Sequence, residues 1–200
     1  MSIPASMIKE LREATGAGIL DCRTALEATQ GNLEAATALL QEKGLAAAAK
    51  RADRETHNGV LDLYSHGEGR VGVMVEVNCE TDFVARTMEF RTFAHEIALQ
   101  IAATSPRWIR RDDVPEGVID EERRSAQKQA AEEGKPEAII ERIVEGRLEK
   151  YFAENCLLDQ GYIRDEDRTV SEVLQEMIAK TGENIGVRRF ERWSVGEEMD

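Results

Sequence analysis

The sequence predicts an α+β protein: a three-helix N-terminal module, then a core of three-stranded antiparallel sheet packed with helices and carrying a helical hairpin. Three observations carry that prediction. Valines at 71, 73, 75 and 77 alternate with Gly72, Met74, Glu76 and Asn78, the period of two of a half-buried strand. On either side of that strand apolar residues recur at three and four, the period of amphipathic helices. Between the periodic runs fall the glycines, prolines and asparagines that turns and caps need.

Residues 1–44 read as the helical module. Met7, Ile8, Leu11 and Ala14 share one face of a first helix that stops at Thr15-Gly16-Ala17-Gly18. Ile19, Cys22, Ala25 and Leu26 form a second, ending at Gly31 as a left-handed cap. Asn32 caps a third, whose stripe is Leu33, Ala36, Thr37 and Leu40 and which Gly44 is expected to close. A core this small is marginal, and such modules usually dock on partners.

Residues 45–57, rich in alanine and charge, read as a linker that is helical in its first half. The core domain is expected over 58–200. It opens with a hairpin, Gly59 to Ser65, the turn His66-Gly67-Glu68-Gly69, then the valine strand. Phe90, Phe93, Ala94, Ile97, Ala98 and Ile101 give a helix to pack on that hairpin, ended by Ser105-Pro106. A helical hairpin is expected over 118–157, turning at Gly134-Lys135-Pro136, with Ile140, Ile143, Val144, Leu148, Tyr151 and Phe152 as the stripe of its second arm. Asp159 to Asp167 reads as loop. Thr169 and Glu172 make a capping box for a helix through Val170, Val173, Leu174, Met177 and Ile178, which Gly182 ends. Ile185 to Phe190 begins as a strand and loses alternation at Arg188-Arg189.

Composition narrows the function. A formal charge of −13 argues against a nucleic-acid backbone or an anionic membrane as the main partner, because both reward surplus lysine and arginine. A protein partner or small molecule fits better. Cys22, Cys79 and Cys156 are widely spaced and suggest neither a zinc site nor a disulfide framework, which fits a reducing cytoplasm. Met1 to Ile8 lacks the basic start and apolar run of a signal, and nothing approaches the ~20 apolar residues of a membrane span. No phosphate loop, dinucleotide fingerprint or H-E-x-x-H motif is present, and His57, His66 and His95 are scattered. No cofactor, metal or catalytic residue is expected. The one candidate nucleophile is Cys79, which follows a strand and precedes a helical turn; the plainer reading is a small buried apolar residue.

The turn after the valine strand is the other candidate. Thr81 is a suitable N-cap, Asp82 follows where the helix dipole favours a carboxylate, and Phe83 is next. The ring either staples onto Met88 or Phe90, which the residues alone favour, or stands exposed as a wedge for a partner.

Several stretches share a resemblance. IKELREATGAGILDC at 8–22, VEVNCETDFVAR at 75–86, GKP followed by EGRLEKYF, and GENIGVRRF at 182–190 are similar to segments of translation elongation factor Ts, in order along nearly the whole chain. The resemblance implies an N-terminal module of ubiquitin-associated type and an exchange factor for elongation factor Tu, GDP-bound and nucleotide-free, without covalent chemistry. It implies that Thr81, Asp82, Phe83 and Val84 enter the partner's GTPase domain and dislodge its magnesium. Arg12, Ile19 and Leu20 would dock on the same domain. Gln100 stands where many members have a histidine near the phosphate loop, so a secondary contact there would be made by an amide. Asp159-Gln160-Gly161-Tyr162-Ile163 departs from a more usual Q-P-F-V. Short members suggest a homodimer. The rival reading is a non-catalytic adaptor built on the ubiquitin-associated-like module.

Overall fold

The computed structural model describes residues 3–198, and within them the side chains of all but Leu45, Ala47 and Ala49. Residues 1–2 and 199–200, the outer ends of the two expected domains, lie outside the described residues, as do those three linker side chains. Helices α1 (Ala5–Thr15), α2 (Ile19–Ala28) and α3 (Leu33–Ala49) form the N-terminal module. Strands β1 (Asn58–His66) and β2 (Val71–Cys79) follow, then a single helical turn α4 (Asp82–Ala85) and the long helix α5 (Met88–Thr104). Next come α6 (Glu116–Glu132) and α7 (Glu137–Asn155), a two-stranded ladder of β3 (Gly161–Tyr162) and β4 (Asp165–Thr169), α8 (Val170–Thr181), and β5 (Ile185–Ser194).

The module closes on Leu11, Cys22, Ala25, Leu26, Ala36 and Leu40. Its turns use the expected devices: Gly31 N–H returns to Leu26 O at 2.8 Å, and Asn32 Oδ1 accepts Ala35 N–H at 3.0 Å. Gly44 does not close α3, which runs through it to Ala49. A Cβ at Gly44 would lie 3.1 Å from that of Ala179 in α8, so the glycine serves close approach of two helices and not a cap. Propensity favoured a stop there; tertiary contact overrides it.

The sheet order is β1-β2-β5, with the valine strand in the centre. Val195 N–H bonds Arg70 O at 2.9 Å and Arg189 Nε reaches Glu76 at 2.7 Å, so β5 runs antiparallel to β2. Val73, Val75 and Val77 are buried, and Asp62 of β1 meets His95 of α5 at 3.1 Å, which identifies the helix-covered face. The opposite face carries Leu61 and Leu63 of β1 and Met74 of β2 in the open, and the alternation from Arg189 brings Trp193 of β5 to the same side. β5 continues past the two arginines because both ion-pair with Glu76.

α6 and α7 form the expected hairpin, buried through Ala126, Ala130, Val144 and Tyr151. At its base Arg111 bridges Glu149 at 2.8 Å and Asp159 at 2.6 Å. The stretch expected as loop holds β3 and β4, paired through Gly161 with Thr169 and Tyr162 with Asp165. Its strands are too short and charged to alternate visibly. The capping box is present: Glu172 N–H donates to Thr169 Oγ1 at 3.2 Å, and Thr169 N–H to Glu172 at 2.7 Å.

The chain divides into two compact units of interleaved segments. One comprises the chain up to Val60, Val77–Phe93 and Leu174–Gly186; the other comprises Leu61–Glu76, Ala94–Val173 and the chain from Val187. The N-terminal module and α4 belong to the first.

Candidate partner-binding site

Strand β2 ends buried, on Val77, Asn78 and Cys79, and its last residue hands the chain to Glu80 and Thr81. Thr81 keeps extended backbone, φ −123° and ψ 156°, and its hydroxyl accepts Val84 N–H at 3.4 Å, the geometry of an N-cap. Ala85 packs inward, while Phe83 is 80% exposed. The staple onto Met88 or Phe90 is not made: Met88 is itself 76% exposed and Phe90 is fully buried. Asp82 pairs with Arg86 at 2.8 Å, an exposed i,i+4 contact worth little to the fold.

The base of this turn is tied down by partners far away in the chain. Thr81 N–H donates to Glu183 Oε2 at 3.0 Å, and the Thr81 hydroxyl donates to Glu183 Oε1. Glu80 Oε1 accepts Asn184 N–H at 2.6 Å and lies 3.4 Å from Arg54. That amide bond, with the Arg54 charge behind it, holds the Glu80 carboxyl below its ordinary range. Asn58 Nδ2 donates to Glu80 O at 2.8 Å, and Asn184 Nδ2 donates to Arg54 O at 2.8 Å and Ala52 O at 3.2 Å. Glu80, Glu183, Asn184 and Asn58 were not singled out in the sequence. The only local trace of them is that Glu183 and Asn184 stand between the glycine ending α8 and the first residue of β5.

Of the other residues read from sequence, Arg12, Ile19 and Leu20 are exposed at the junction of α1 and α2. Gln100 is placed differently. It is wholly buried, its Nε2 donating to Gln160 Oε1 at 3.2 Å and Gly161 O at 3.1 Å, its Oε1 accepting Ile163 N–H at 2.9 Å. No atom of it faces outward, which corrects the expectation of a surface contact. Helical spacing carries the reason: 93, 97, 100 and 101 fall on one face of α5, the buried one. The amide thus organises the departing stretch 159–163.

Cys79 is buried, with its thiol donating to Thr81 O at 3.1 Å, and burial pushes that thiol up to about 11, with Glu183 and Glu80 adding to the shift. It is protonated at neutral pH and spends its proton on backbone Thr81 O, so the hydrolase reading loses its nucleophile. Burial likewise raises Cys156 to about 11. Thiol-directed alkylation at pH 8 is expected to be slow at both sites in the folded protein and rapid in denaturant; fast labelling of folded Cys79 would contradict this placement. Among the described residues no group of three or more His, Cys, Asp or Glu could hold a metal ion, and no helix is long and apolar enough to cross a membrane.

Comparison with known proteins agrees with the motifs. A family profile described as Elongation factor TS matches residues 7–197. The chain is 56% identical over 198 residues to the elongation factor Ts of Caldanaerobacter subterraneus subsp. tengcongensis, covering 99% of each chain. It is 56% identical over 197 residues to that of Carboxydothermus hydrogenoformans, covering 98% of this chain and 91% of the relative. It is 52% identical over 200 residues to that of Alkaliphilus metalliredigens, covering 100% and 93%. With the T-D-F-V turn, the capped module and a match spanning almost every residue, the chain belongs to the elongation factor Ts family of translation elongation factors.

Proposed function

We propose that this chain is the guanine nucleotide exchange factor for elongation factor Tu and works by pressing the Thr81–Val84 turn into the partner's GTPase domain. The observation that carries the reading is Phe83, an exposed aromatic ring on a turn with a fixed base. Burying that ring against a partner would be worth ~2 kcal/mol. Asp82 beside it adds a carboxylate that repels bound phosphate and competes for magnesium.

Magnesium demands near-ideal octahedral geometry, and a phosphate loop holds nucleotide by converging backbone amides, so displacing either by a fraction of an ångström weakens GDP strongly. No covalent bond changes. Coupling is reciprocal: a factor that loosens nucleotide is itself loosened by nucleotide, and an incoming GTP completes the cycle by expelling it. The exposed Arg12, Ile19 and Leu20 supply a docking face, in the cytoplasm where translation takes place. Gln100 takes no part in contact. The test is release of fluorescent GDP from purified elongation factor Tu. Acceleration in proportion to added factor is expected, and a rate unchanged by the factor would leave only the adaptor reading.

The bare sheet face supports a second copy of this chain as a further partner. Leu61, Leu63, Met74 and Trp193 stand exposed on one side of β1-β2-β5, with none of the described residues of their own unit burying them. Two such faces stacked make a sandwich of the ordinary ~10 Å spacing. Sedimentation is expected to give a dimer, and Leu63→Glu with Trp193→Glu a monomer; a wild-type monomer at working concentration would remove the pairing.

A further inference from the structure

The two carboxylates flanking the wedge are arranged as a crossed pair. Glu80 precedes Thr81 and Glu183 precedes Asn184. Each side chain reaches over to the backbone N–H one residue beyond its opposite number: Glu183 accepts Thr81 N–H at 3.0 Å, and Glu80 accepts Asn184 N–H at 2.6 Å. We propose that this clamp aims the Phe83 turn, and that Glu183 is a positioning residue for nucleotide release, an inference that rests on the exchange reading above.

Three features set the clamp apart from ordinary capping. First, a cap needs only the Thr81 hydroxyl and Val84 N–H, which are already satisfied within the turn. Glu183 adds two further bonds from outside it, to the amide and the hydroxyl of the same residue. Fixing both atoms of Thr81 removes rotation about the strand end as well as translation. Second, the Glu80–Asn184 bond at 2.6 Å is charge-assisted, roughly twice as strong as a neutral one, and Arg54 lies 3.4 Å from the same carboxylate. Third, the hydroxyl is polarised in one direction: it donates to Glu183, so its lone pair is left to Val84 N–H. Loss of the carboxylate therefore loosens the cap as well as the base. Phe83 lies two residues beyond this anchor, so a small tilt of the turn is magnified at the ring. A misplacement of about 1 Å can cost on the order of 100-fold in rate.

The test uses full-length Glu183→Gln, which keeps size but can accept only one of the two Thr81 bonds well. Release of fluorescent GDP from elongation factor Tu is followed across factor concentrations. The maximal rate is expected to fall about tenfold, while the half-saturating concentration stays within about twofold because the Arg12, Ile19 and Leu20 face is untouched. In a Phe83→Ala background the same substitution is expected to change the maximal rate less than about twofold, since there is no ring left to aim. Amide exchange at Thr81 should quicken at least about tenfold. A maximal rate equal to wild type, or an equal loss with and without Phe83, would overturn the proposal. Should Glu183→Gln not fold, Glu80→Gln is read in the same way, and failure of both to fold would assign the pair to stability alone. Wild-type factor that does not accelerate release would instead sink the exchange reading itself.

Discussion

Phe83→Ala is expected to slow factor-stimulated GDP release from elongation factor Tu about thirtyfold, the equivalent of the ~2 kcal/mol of apolar burial that the ring supplies. The fold should not notice. The ring is 80% exposed and the cap bonds that shape its turn are made by Thr81, Val84 and Glu183. Thermal unfolding is therefore expected within a degree or two of wild type, which separates a lost contact from a lost structure. Asp82→Ala should act in the same direction, because its exposed pairing with Arg86 contributes almost nothing to stability. Stimulated release at the wild-type rate in either variant would count decisively against the wedge.

The largest loss of stability is expected at Gly59→Ala. A Cβ there would lie 2.2 Å from Val77 O and 2.8 Å from Asn78 Cα, both backbone atoms of the neighbouring strand. No rotamer relieves such an overlap; the strands must part. A cost on the order of 4 kcal/mol is expected, read as a lower denaturant midpoint at unchanged slope. Exchange activity should fall with it, since Asn58 and Asn78 on either side hold Glu80 O and Thr56 O at the base of the wedge. A midpoint close to wild type would show that the strands can separate here at little cost.

Much of this architecture could be read from residue order, and the exceptions share a cause. The alternation of Val71 to Val77, the cap at Thr81 and the Thr169–Glu172 box are local patterns, legible within a few residues. Gly44 misled because what it accommodates, Ala179, is far along the chain. The resemblance implied a secondary contact at Gln100, yet its partners lie at 160–163, within a stretch without visible periodicity. The capped turn was legible at Thr81, Asp82 and Phe83; the anchors of its base were not, because Glu80 and Glu183 acquire meaning only when the end of β2 meets the start of β5.

The Thr81–Glu183 bond spans 102 residues of sequence. During synthesis helices α1 to α3 and the threonine leave the ribosome long before the glutamate does. A nascent chain halted ahead of that glutamate presents helices α1 to α3 and an untethered ring. On the exchange reading proposed above, such a fragment is expected to bind elongation factor Tu without accelerating GDP release.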